Sequence, residues 1–160
     1  MQTATIHQLK QELSTLDHKM LLTICLRLAR FKKENKELLT YLLFESGQEE
    51  HFRSTIKNEL EDSFQQINKS NIYLIKKSLR KILRFLDKVI RFSGKKETEI
   101  ELRIYFLQML KEHKIPTRRS RVLGNMYEGQ LKKIKASMEK IHEDLQYDFK
   151  LMLEEIGIHE

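Results

Sequence analysis

The chain has 160 residues, 40% of them hydrophobic, with five glycines, one proline, a single cysteine and a formal net charge of +7. One cysteine excludes an internal disulfide framework and a cysteine-based zinc site. No apolar run approaches the roughly 18–20 residues of a membrane span, and the N-terminal residues lack the apolar stretch of a secretory signal, so a cytoplasmic protein is expected.

Leu, Lys, Glu and Ile dominate and breakers are few, which predicts helix nearly throughout. A chain of this length buries about 70% of its unfolded surface. The expectation is one all-α domain over 1–160, with an N-terminal helical subregion over 1–47 and a main bundle over 48–160. The predicted architecture is an antiparallel bundle of long helices with shorter N-terminal helices. A HEAT-like stacking of helix pairs is the alternative.

In chain order, a short helix is predicted from Thr5 to Leu13. Ser14 has the character of an N-cap, with Asp17 three positions on, for a second helix running to Lys33. Its apolar side is Leu21, Leu22, Ile24, Cys25, Leu28 and Phe31, which predicts a buried thiol at Cys25. Asn35 is placed to cap a third helix, Lys36 to Glu45, ended by Gly47. A fourth covers Gln48 to Ile67, with Phe52, Ile56, Leu60, Phe64 and Ile67 as one stripe.

The next segment, Ile72 to Phe92, reads IYLIKKSLRKILRFLDKVIRF. At about 100° per residue, Lys77, Arg80, Lys81, Arg84, Lys88 and Arg91 share a sector of roughly 100°. Ile75, Leu79, Ile82, Leu86, Val89 and Ile90 fall opposite, on the side expected in the core. Asp87 is the only carboxylate in this segment. Exposed helices usually mix signs, because Glu–Lys pairs add about 0.2–0.5 kcal/mol each. A one-sign stripe calls for another group to neutralise it.

Thr98 and Glu101 have capping-box spacing and open a sixth predicted helix, stopped by Pro116. A last helix is expected from Ser120 to Ile156, about 50 Å if unbroken. Gly124 and Gly129 near its start mark a possible kink. Its stripe takes in Leu131, Ile134, Met138, Ile141, Leu145, Phe149 and Met152.

The segments LLTYLLFE, RKILRFLDKVIRFSGKKETEIEL, RIYFLQMLK and HEDLQYDF resemble an uncharacterised family of all-helical bacterial proteins. The resemblance runs the length of the chain. It implies a single-domain intracellular bacterial protein and brings no functional residues with it.

No residue constellation predicts catalysis or a cofactor. Glu139 and His142 have the i,i+3 spacing of a di-iron ligand pair, but a second Glu-x-x-His is missing. His18 and Cys25 lie two turns apart on one helix, roughly 10 Å by helical rise, too far for a nucleophile and its base. The paired carboxylates Asp144 and Asp148 read as solvated. Glycine-rich phosphate loops are absent.

The charge distribution carries the functional expectation. Residues 69–121 hold sixteen basic groups against five acidic ones, whereas 48–68 and 139–160 are acidic. The stripe, continued by Lys95 and Lys96, is suited to a phosphate backbone. Arg118, Arg119 and Arg121, at a predicted helix start, form a second anion-binding candidate. The expectation is a non-enzymatic interaction module that binds nucleic acid or another polyanion, an acidic protein included. The alternative is a scaffold or homo-oligomer in which Glu59, Glu61, Asp62, Asp144 and Asp148 cover the basic face.

Overall fold

The computed structural model describes residues 1–159, which form eight α-helices with no strand among them. The all-α class follows from the composition. The chain divides into two compact units, Met1–Phe44 and Glu45–Glu160, where the sequence predicts one domain with a subregion ending at residue 47.

In the first unit, α1 spans Ile6–Thr15, α2 His18–Phe31 and α3 Lys33–Thr40. Local polar chemistry sets their starts. Thr5 caps α1 in a reciprocal capping box with Gln8, and the helix ends two residues beyond the predicted Leu13. Asp17, and not Ser14, is the N-cap of α2: its carboxylate accepts from the Met20 amide at 2.7 Å. Asn35 lies inside α3 and donates to the Leu28 carbonyl at 2.8 Å, tying α3 to α2. From Tyr41 to Glu45 the helix widens into a π-turn. Of the side chains in this unit only Tyr41 is buried, and Cys25 is exposed, contrary to the expected buried thiol.

The second unit contains α4 (Glu49–Gln65), α5 (Ile72–Ser93), α6 (Lys96–Glu112), α7 (Arg121–Met138) and α8 (Glu143–Glu155). The predicted stripe of α4 is buried from Phe52 to Ile67. Helix α6 contributes buried residues over most of its circumference, among them Ile100, Leu102, Ile104, Phe106 and Leu110, and leaves a strip of Glu97, Glu101, Tyr105 and Gln108 unburied. A helix buried on most sides belongs in the centre, and α6 packs against α4, α5, α7 and α8. The bundle is therefore built round α6, with Phe64 of α4 edge-on to Phe106 at 5.4 Å.

Two expectations about helix ends fail for tertiary reasons. Thr98 does not cap α6; it is fully buried and donates to Glu49 at 2.7 Å. The helix begins two residues earlier, after Lys95. The expected single helix from Ser120 to Ile156 is two helices, broken at 139–142, while Gly124 and Gly129 sit within α7. The break lets α8 pack on α6 and bury Phe149 and Leu153, while Leu145 turns to solvent. His142, half of the Glu-x-x-His spacing, is the N-cap of α8, with Nδ1 accepting from the Asp144 amide at 3.3 Å.

Candidate polyanion-binding face

Helix α5 is fixed at both ends and along one side. Asn71 caps it by accepting from the Leu74 amide at 2.9 Å. Gly94 closes it in the left-handed region at φ 67°, donating to the Ile90 carbonyl at 2.9 Å. Ile75, Leu79, Ile82, Leu86, Val89 and Ile90 are all buried, matching the predicted face. Burying each contributes about 1.5–3 kcal/mol relative to exposure. The apolar side therefore holds the helix in one rotation, and that rotation turns the basic side outward.

Lys77, Arg80, Lys81, Arg84 and Arg91 are exposed, and Lys88 is half-buried. The first four make no ion pair among the described residues. Lys88 lies over the rings of Phe85 and Phe92, 5.8 and 5.9 Å from their centroids, which fixes its ammonium between two half-buried aromatics. Lys81 also borders a groove of about 250 Å³ between α4 and α5, shared with Glu59 and Gln66.

Of the acidic residues expected to cover the stripe, Glu59 borders the same groove as Lys81. Asp144 and Asp148 lie on α8, which packs on α6. Asp87, on the flank of α5, is bridged by Arg103 at 2.9 Å and Lys133 at 3.1 Å, drawing it toward α6 and α7. The extension of the stripe past Gly94 differs from the sequence expectation. Lys95 pairs with Glu49 at 3.2 Å and Lys96 with Glu99 at 2.8 Å. Glu49 also accepts from Ser93 and Thr98, so it fastens the α5–α6 junction to the start of α4. Glu99 also accepts from Ser137 at 2.9 Å. Burial works against its charge, but hydrogen bonds from Lys96, Ser137 and Arg103, with the Arg103 charge, hold its carboxyl below the ordinary glutamate value.

Arg118 and Arg119 lie in a 3₁₀ turn, Thr117–Arg119, and Arg121 opens α7; all three are exposed. Arg118 lines a cavity of about 630 Å³ with Lys111, Lys114 and Tyr127, while Arg119 and Arg121 are not among its lining. Lys111 donates to the Ile156 carbonyl at 3.1 Å. Burial, with Glu128 nearby, raises the Tyr127 phenol above its usual value. Lys111 and Lys114 are the cations that sequence reasoning missed here. One signal for Lys114 lies in the chain: it follows the end of α6 where a glycine is usual, and it adopts φ 52°. Of the three arginines, the structure brings only Arg118 together with Lys111 and Lys114.

Among the described residues no group of three His, Cys, Asp or Glu is arranged to hold a metal ion. No helix among them is long and apolar enough to cross a membrane. Comparison with protein-family models, curated proteins and solved structures finds no match.

Proposed function

We propose that the chain is a non-enzymatic, cytoplasmic interaction module that binds a polyanion, nucleic acid foremost, through the outer face of α5. One observation carries this reading: Lys77, Arg80, Lys81 and Arg84 stand exposed and without ion pairs on one side of a helix whose other side is locked in the core. A fixed row of cations gains by displacing the counterions of a phosphate backbone. Successive cations three or four residues apart lie about 4.5–6 Å apart along the helix axis, a spacing close to the repeat of phosphates along a strand. Base-reading groups are few on this face, so affinity follows charge more than sequence.

The test is fluorescence anisotropy with labelled single- and double-stranded oligonucleotides across a salt series. The expected result is binding at low salt whose logarithm falls linearly with log salt, at about −0.7 to −0.9 per neutralised phosphate. Lys77→Glu with Arg84→Glu should weaken every sequence to a similar degree and flatten that slope. Absence of binding to DNA and RNA at low salt overturns the proposal.

A further inference from the structure

The first unit is a set of helices without a core. Its α1 carries Ile6, Leu9 and Leu13 at the three- and four-residue spacing of a helix-pairing seam, and every one is exposed. Phe31 at the end of α2 is 77% exposed and Phe44 at the π-turn 71%. A unit of this size sits near the lower limit at which a chain folds without a staple or a partner. With Tyr41 its one buried side chain, it lacks the interior that would stabilise three helices in water.

We infer that the first unit is a dimerisation element, and that its apolar face packs against the same face of a second copy. Size supports this occupant. Eleven large apolar side chains between Ile6 and Phe44 are exposed, on the order of 1,000 Å² together, the scale of the ~800 Å² each partner gives to a stable interface. Composition supports it as well. The exposed large apolar residues of the second unit are Tyr73, Leu145, Tyr147 and Leu151, two of them tyrosines with a polar tip. The surface that matches the first unit in area and apolarity is its own copy. A two-fold interface makes each seam the complement of the other and closes at two chains. The exposed cations of the first unit, Arg27 and Lys33 among them, suit the solvated rim of such a contact.

Sedimentation equilibrium on the full chain tests this. The expected species has twice the 19.3 kDa chain mass, with dissociation shifting over at least tenfold in concentration when Ile6→Glu and Leu13→Glu are introduced together. Those side chains are exposed, so the second unit should keep its fold, and any loss of helical circular dichroism should be confined to the share contributed by the first unit. Phe31→Ser, on a different helix, is the second variant and should shift the same equilibrium. A monomer at 100 µM or below overturns the inference, as does a dimer whose dissociation neither variant changes. A different protein bound in equal amount to a monomeric chain overturns it too. Because the readout uses no nucleic acid, its failure is distinct from failure of the α5 proposal.

Discussion

The guanidinium of Arg103 is buried against the carboxylate of Glu99, with Nε 3.1 Å and Nη2 3.0 Å from Oε1. The same guanidinium reaches Gln130 at 2.7 Å and Asp87 at 2.9 Å, so one side chain of α6 ties its own helix to α5 and α7. Arg103→Met should destabilise the chain by about 1–3 kcal/mol, because it leaves the buried Gln130 without its donor and takes one of several partners from Glu99 and Asp87. Urea denaturation measures this. In a double-mutant cycle with Glu99→Gln, the two changes should be clearly non-additive.

Glu99 also predicts an acid response. Its folded carboxyl titrates below the ordinary value, so the unfolded chain binds the proton more readily. The stabilisation is complete above the unperturbed glutamate range, about 4.3, and is lost as the pH falls through the lower folded value. Wild type should lose stability over that acidic window more steeply than Glu99→Gln. Thermal melts from pH 6 downward check the difference.

Two left-handed residues make opposite predictions. Gly94 has open space where a Cβ would stand, so Gly94→Ala costs only backbone strain, about 1–2 kcal/mol at φ 67°. Lys114 already bears that strain at φ 52°. Lys114→Gly should therefore raise the melting temperature, with a gain of about 1 kcal/mol. Differential scanning calorimetry on both variants separates the two signs.

The two sides of α5 should respond unequally. Leu86 is fully buried, and Leu86→Ala is expected to cost about 2–5 kcal/mol through lost transfer energy and the cavity left behind. Lys77→Ala and Arg84→Ala, on the exposed side, should stay within about 0.5 kcal/mol of wild type. Equilibrium unfolding of the three variants tests whether stability and charge are carried on opposite faces.

Helix α5 was the most legible element. Its apolar side is written in local spacing, and it stands where the periodicity places it. The break between α7 and α8 was not legible, because residues 139–142 contain neither glycine nor proline. It exists because Phe149 and Leu153 pack against the rest of the bundle, a tertiary gain that no local pattern encodes. Lys95 shows the same limit at the candidate site: its sequence continues the basic stripe, yet Glu49 reaches it only once α4 packs beside the α5–α6 junction. Lys96 is a local case, because it lies inside α6 and pairs with Glu99 at a three-residue spacing. In the first unit, the apolar periodicity of α2 predicted a buried side. Periodicity marks which face avoids water without saying what covers it, and Cys25 misled for that reason.

The central place of α6 has a consequence for synthesis. Its buried faces are matched by helices on both sides of it in the chain, and α8 is the last of them. While a ribosome makes the protein from the N-terminus, α4 and α5 emerge early enough to shield one side of α6. The other side has no cover until α7 and α8 follow. For that interval the nascent chain presents Leu107 and Leu110 before their later neighbours exist, the kind of exposed surface that chaperones hold. Emergence of α8, and not of any earlier helix, completes the core of the second unit.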